Sequence, residues 1–344
     1  MKKIALLTPT FSYFSGMDRL AKLQAEEFIA NGNEVLIITF QGDIEIKGAK
    51  IIKLGESRNS FVQKAHRLFF PLDRKIIKKC LKILKGYDQV ISYLYPMSVI
   101  AAEAKKRYGI EFTYYDVGVA DAKYFDTLYE KCYMLIFNRL TLNYAKFADR
   151  LISISKFAKG ILEKELVSEK HKMEYKYPPK MKIKHFKQSE LRSIKEKLNL
   201  HFPVYLYVGR LSPHKGVDKL IEAFKKVEVT VPASRLIIVG KETVPKYMRK
   251  LKKMSSERVI FTGYVPEKEI DKYYNLADVY VSASKWECYD IPAVEAERME
   301  KPVVVFDIQV HKELLKSKKS RLVPMGDVTA FAKEMEAFAF TKTL

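Results

Sequence analysis

Short runs of β-branched and apolar residues alternate along the whole chain with longer stretches in which apolar residues recur every three to four positions. That alternation marks βαβ units, and with them parallel sheets covered by helices on both faces. In the first half the pattern predicts strands at Ile4–Leu7, Glu34–Phe40, Gln89–Leu94, Phe112–Asp116 and Arg150–Ser153. Helices are predicted over Met17–Ala30, Lys75–Leu84, Val99–Tyr108, Leu128–Phe147 and Phe157–Glu165. From Lys164 to Lys187 the pattern breaks into a polar stretch with Lys170, Lys172, Lys176, Lys180, Lys182, Lys184 and Lys187 around Pro178-Pro179, which reads as a linker. The alternation then restarts, with strands at Val204–Val208, Arg235–Val239, Val259–Thr262, Val279–Ala283 and Pro302–Phe306 and a last helix at Val328–Phe340.

A chain of 344 residues is too long for one ordinary open sheet and fits two domains. The expected fold class is α/β, with two Rossmann-like, doubly wound parallel-sheet domains. Residues 1–180 form the first and 181–327 the second, and a carboxyl-terminal helix over 328–344 is free to return toward the first.

Composition narrows this picture little. Hydrophobic residues at 48% and charged residues at 30% describe a globular chain with ample core material. The three cysteines, Cys80, Cys132 and Cys288, lie far apart and suggest neither a disulfide framework nor a zinc site, so a reducing cytosol is the expected compartment. The apolar run after Lys2-Lys3 is too short for a signal peptide, and no run reaches the roughly 18 residues of a membrane span. Lys and Arg number 62 against 41 Asp and Glu, a formal charge of +21, which gathers anionic partners of many kinds.

Ligands of open α/β sheets bind beyond the carboxyl ends of the strands, where helix N-termini attract anions. Three such loops carry unusual residues. V-G-R-L-S-P-H-K-G, Val208–Gly216, places Arg210 and Lys215 beside the start of a helix, where two cations can neutralise a diphosphate without a metal. S-K-W-E-C-Y-D-I-P-A-V-E-A, Ser284–Ala296, places Glu287 in the loop and Glu295 in the first helical turn, carboxylates that accept hydrogen bonds from vicinal hydroxyls. Thr8–Arg19 joins the first strand to the first helix, and Gly16 there permits close backbone approach to a ligand.

With these pieces the chain resembles the retaining GT-B glycosyltransferases of family 4, which include bacterial and archaeal glycan and lipid-sugar transferases. The likeness rests on the turn at Gly16, A-D-R-L-I-S-I-S-K at Ala148–Lys156, Y-P-P at Tyr177–Pro179 and V-G-R-L-S-P-H-K-G. It continues through G-Y-V-P at Gly263–Pro266, A-D-V-Y-V-S at Ala277–Ser282 and the E-x7-E pair of Glu287 and Glu295. It implies two domains facing across a cleft, an amino-terminal acceptor side and a nucleotide-sugar donor linked to UDP, GDP or ADP, with no metal and no cofactor. By the same resemblance Arg210 and Lys215 hold the donor diphosphate, Glu287 contacts the donor sugar and Glu295 the ribose, with Gly16, Tyr289 and Asp290 also around the donor. Arg210, Lys215 and Glu287 are the expected catalytic groups.

The chain departs from the family at two places. At Asp290 the E-x-F-G pattern has glycine. A carboxylate there repels phosphate, binds a donor hydroxyl, marks an unusual donor or marks lost activity. At Tyr115, beside Asp116, many relatives carry a histidine near the acceptor or donor sugar, and that role is called into question; both residues are assigned to the acceptor side. The basic amphipathic stretch Arg74–Lys85, the aromatics of Leu68-Phe69-Phe70-Pro71 and those of Tyr124–Phe137 suit contact with anionic lipid and a glycan or lipid-linked acceptor at the cytosolic membrane face. The alternatives are a GT-B-fold sugar-nucleotide 2-epimerase and a family member that binds without turnover. No nucleic-acid-binding signature is present.

Overall fold

A computed structural model describes residues 1–13, 15–57, 59–118, 121–125, 127–179, 183–242 and 244–341. The chain divides into two compact units, one of Met1–Ala122 and Thr127–Pro179, the other of Lys123–Asp126 and Lys180–Leu344. Lys180 and Lys182 of the expected linker lie outside the described residues.

The first unit is built on seven strands: β1 (Lys3–Phe11), β2 (Glu34–Gly42), β3 (Ala49–Lys53), β4 (Gln89–Ser92), β5 (Glu111–Asp116), β6 (Arg150–Ser153) and β7 (Met173–Tyr175). All pair in parallel, in the order β3-β2-β1-β4-β5-β6-β7. The run after Lys3 is thus the first strand, and Ile4 to Leu7 are buried at its centre. The stretch read as a linker contains the short helix Val167–Lys172 and the edge strand β7.

Helix Arg74–Leu84 turns Ile77, Cys80, Leu81 and Leu84 into the core and leaves Lys75, Lys78, Lys79 and Lys82 exposed. Helix Leu128–Ala145 starts at a capping box, in which the Thr127 hydroxyl accepts from the Glu130 amide at 3.2 Å and the Glu130 carboxylate from the Thr127 amide at 3.4 Å. Phe70, one of the aromatics read above as suited to lipid contact, is fully buried, edge-on to Phe40 and His66, and follows the helix Ser60–Phe69 that the pattern did not predict.

The second unit carries β8 (Val204–Val208), β9 (Arg235–Val239), β10 (Val259–Gly263), β11 (Val279–Ser282), β12 (Val303–Phe306) and β13 (Ser320–Val323). They pair in parallel in the order β10-β9-β8-β11-β12-β13. Successive side chains of a strand face opposite ways, so this sheet has two cores. Tyr205, Tyr207, Leu236 and Ile238 enter one, and Val204, Leu206, Ile237 and Val239 the other. The last helix, Val328–Thr341, for which a return toward the first domain was allowed, packs Phe331, Ala332 and Met335 into the first of these cores. No described helix is long and apolar enough to cross a membrane.

Candidate functional site

The strand order of the second unit reverses direction between β8 and β11, which are hydrogen-bonded neighbours. At such a switch point the two connections leave toward opposite faces and open a crevice at the strand ends. The loops that leave there are Gly209–Gly216 and Ala283–Asp290, the two that the sequence marks out for donor chemistry.

The loops meet backbone to backbone. Gly216 has a φ of +62°, and a Cβ on it would lie 2.0 Å from the Ala283 carbonyl oxygen, so only glycine lets the chain pass. The Lys285 amide donates to the His214 carbonyl at 2.9 Å nearby. This seam brings Lys215 to Glu287, and the Lys215 ammonium donates to Glu287 Oε1 in an ion pair. Glu287 is buried. Burial pushes its carboxyl above the ordinary range and the charge of Asp290 adds to this, while Lys215 pulls it down.

Arg210 lies five residues before Lys215 and is exposed. Its carbonyl accepts from the buried Tyr207 hydroxyl at 3.1 Å. His214, between the two cations, is buried and has its pKa driven down to about 3 by burial, then by Lys215, Arg210 and Lys285. It is therefore a neutral imidazole in a cationic loop, with Nδ1 3.3 Å from the Ser212 hydroxyl.

Helix Ile291–Arg298 begins one residue earlier than Pro292, which is its second residue. Glu295 consequently sits in the second turn, not the first, and the dipole complement is Asp290, whose Oδ1 caps the helix by accepting from the Ala293 amide at 3.2 Å. Asp290 Oδ2 accepts from His311 Nε2 at 3.0 Å. Its charge is thus compensated inside the unit, which answers the repulsion expected of a carboxylate at this position. Glu295 is buried, and its Oε2 accepts from the Tyr274 hydroxyl at 3.1 Å. Tyr289 is half-buried in the same loop.

Arg210, Lys215, Glu287, Tyr289, Asp290 and Glu295 all belong to the second unit, and Gly16, Tyr115 and Asp116 to the first. Gly16 opens helix Gly16–Ala30 after β1. Tyr115 and Asp116 end β5, two strands from β1. Tyr115 is core, tilted against Tyr93 with its hydroxyl donating to the Lys176 carbonyl at 3.5 Å. Asp116 accepts from the Gly118 amide and the Ser153 hydroxyl at 3.0 Å each, and burial raises its pKa to about 6. Sequence reasoning missed His311 and Tyr274, and no local motif marks either.

Residues 188–339 match the family described as glycosyl transferases group 1. The chain is 30% identical over 124 residues to the alpha-monoglucosyldiacylglycerol synthase of Acholeplasma laidlawii, covering 35% of this chain and 31% of that protein. It is 36% identical over 83 residues to a GDP-mannose-dependent phosphatidylinositol monomannoside mannosyltransferase of Mycolicibacterium smegmatis, covering 23% of this chain and 21% of that one. The aligned stretches thus span less than a third of either relative. The fold resembles Anabaena HepE in complex with UDP-glucose, with a TM-score of 0.81 and 17% identity over 100% of this chain and 91% of that one. Both units take part in that likeness, so the fold is GT-B. The match to the glycosyl transferases group 1 covers residues 188–339, which lie within the second unit.

Proposed function

We propose that this chain is a retaining, family 4 glycosyltransferase that moves a sugar from a UDP-, GDP- or ADP-linked donor to a glycan or lipid-linked acceptor. The observation that carries the reading is the Lys215–Glu287 ion pair, set near Arg210 where two loops leave the switch point of a Rossmann-type sheet. Lys215 has three ammonium protons, so it can serve Glu287 and a phosphate oxygen together. In this reading Arg210 and Lys215 hold the diphosphate, Glu287 holds the donor sugar, and Glu295 with Tyr289 lies along the ribose. Gly16 allows close backbone approach, and Tyr115 and Asp116 belong to the acceptor side.

The reaction needs no covalent nucleophile. The bond from the anomeric carbon to the leaving phosphate oxygen breaks as the acceptor oxygen adds from the same face, and the departing phosphate takes the acceptor proton. Negative charge grows on the leaving diphosphate, and the two cations stabilise it there without a metal. The UDP-glucose complex of the fold relative and the GDP-mannose dependence of the mannosyltransferase support a nucleotide-sugar donor and leave its base open.

Action at the cytosolic membrane face is part of the proposal. Exposed Phe61 and Phe69 on one helix and Leu128, Leu135 and Ile136 on another support it, because Lys64 of the first helix lies over the Tyr129 and Tyr133 rings of the second at 5.3 and 5.6 Å. The basic face of helix Arg74–Leu84 follows in sequence.

Transfer from a panel of sugar nucleotides in the presence of a chelator tests the reading. Arg210→Ala and Glu287→Ala should each lower kcat/KM by about 10²–10³-fold, and full rates in both would overturn the assignment. A donor sugar altered without any acceptor would indicate the 2-epimerase instead, and tight donor binding with no turnover a binding protein.

A further inference from the structure

We propose that His311 and Asp290 are a positioning pair for the donor loop, in which a buried imidazolium balances Asp290 so that Lys215 stays committed to Glu287 and the donor. The inference rests on the reading that Glu287 and Lys215 contact the donor.

With the Asp290 carboxyl ionised, the contacts of His311 make it a double donor. Its Nδ1 is 2.7 Å from the Phe306 carbonyl and its Nε2 is 3.0 Å from Asp290 Oδ2, and neither oxygen carries a proton to give when the carboxyl is ionised. Both ring nitrogens therefore donate, and the ring is cationic. Burial opposes both charges, yet the hydrogen bond and attraction between them hold the His311 pKa above its ordinary value and the Asp290 pKa below its own. His311 is 0% exposed and Asp290 4%.

The pair also ties two loops together. His311 lies in helix Gln309–Leu314 after β12, Asp290 ends the loop after β11, and these strands are neighbours in the sheet. Asp290 caps the next helix with its other oxygen, so one carboxylate anchors the end of the loop three residues beyond Glu287.

Lys215 is the further cation that acts on this pair, and Arg210 acts on the neighbouring Tyr207 phenol. Asp290 feels Lys215, His311 feels Glu287, and the buried phenols of Tyr207 and Tyr280 feel both carboxylates. Lys312, next to His311, pairs with Asp307 instead. The four charges of Lys215, Glu287, Asp290 and His311 sum to zero. Without His311, two buried carboxylates would share the one Lys215 ammonium, and either Glu287 would take up a proton or Lys215 would be drawn from the phosphates.

The test uses the full chain with inorganic pyrophosphate as the diphosphate probe, and kcat/KM against pH with the donor found active. His311→Gln, which can still donate one hydrogen bond, should weaken pyrophosphate binding about tenfold and move the acidic limb of kcat/KM up by about one pH unit. Adding Asp290→Asn, which keeps the cap, should restore both. Nitrogen-15 spectra of the wild type should show both His311 nitrogens protonated at pH 7, and Asp290→Asn alone should bring the ring to a neutral form.

A neutral His311 in the wild type, an unmoved pH limb, or a double variant no better than His311→Gln would overturn the proposal. The spectra require only that Asp290→Asn fold, so they decide even if His311→Gln does not. Glu287→Gln is the control for the underlying reading. If it transfers at full rate the donor site itself is misplaced, whereas a dead Glu287→Gln beside an unmoved His311→Gln defeats only this inference.

Discussion

At Gly216 a backbone φ of +62° coincides with a carbonyl oxygen 2.0 Å from where a side chain would begin, so the pairing of Lys215 with Glu287 depends on a residue without charge. Gly216→Ala should cost at least about 2 kcal/mol, from left-handed strain plus displaced loops, and should weaken pyrophosphate binding. Gly326, with φ of +90° and nothing within 4 Å, isolates the strain. Urea melts of Gly216→Ala and Gly326→Ala that lost equal stability would show that the contact with Ala283 does not matter. The loop positions of Arg210, Lys215 and Glu287 were legible in the sequence because each follows a predicted strand, whereas Glu295 was placed a turn too early because the helix starts before Pro292. His311 was not legible. Its partner lies 21 positions away, and only the adjacency of β11 and β12 makes them neighbours.

At the scale of elements, the connection from β1 into helix Gly16–Ala30 is held by one buried carboxylate. Asp18 accepts from the Thr10 hydroxyl at 2.9 Å and from the Ser12 amide and hydroxyl at 3.0 and 3.2 Å. The Thr8 hydroxyl lies between the Thr10 carbonyl at 2.7 Å and Asp18 Oδ1 at 3.4 Å. Burial is the largest influence on Asp18 and raises its pKa from 3.8 to about 7, against those hydrogen bonds. Between these values the folded chain holds a proton that the unfolded chain has released, so stability falls as pH rises from about 4 through about 7. Melting temperatures of wild type and Asp18→Asn should agree best near pH 4 and diverge in favour of the variant toward pH 8. A difference independent of pH would refute the assignment. Central strands and five helices of the first unit were legible from periodicity, whereas helix Ser60–Phe69 and the strands β3, β7 and β13 were missed, the strands because they are short edge strands with few buried positions. Phe70 was misjudged because Phe69 and Leu72 near it are exposed while it packs on Phe40 and His66.

Across the whole molecule, the alternation of apolar runs and amphipathic stretches was enough to give two parallel-sheet domains, since each strand feeds a helix that must cover the sheet. The charge of +21 was equally visible, and the basic stretch Arg74–Lys85 gave it an address in the sequence. Lys75, Lys78, Lys79 and Lys82 form a solvent-facing flank of the first unit, and Leu72, 72% exposed, lies just before them in sequence. Charge and apolar contact respond differently to salt, because surface attraction is screened over about 10 Å at 0.1 M while burial of apolar groups in lipid is not. Flotation with vesicles of phosphatidylglycerol and phosphatidylcholine should therefore show binding that falls with salt to a residual level, and little binding to phosphatidylcholine alone. Replacing the four lysines by glutamine should remove the salt-sensitive part, and Leu72→Ser with Leu135→Ser the residual part. Equal binding to neutral and anionic vesicles, or none at low salt, would defeat the membrane part of the proposal and leave sugar transfer untouched, since no residue changed here lies among those assigned to the donor.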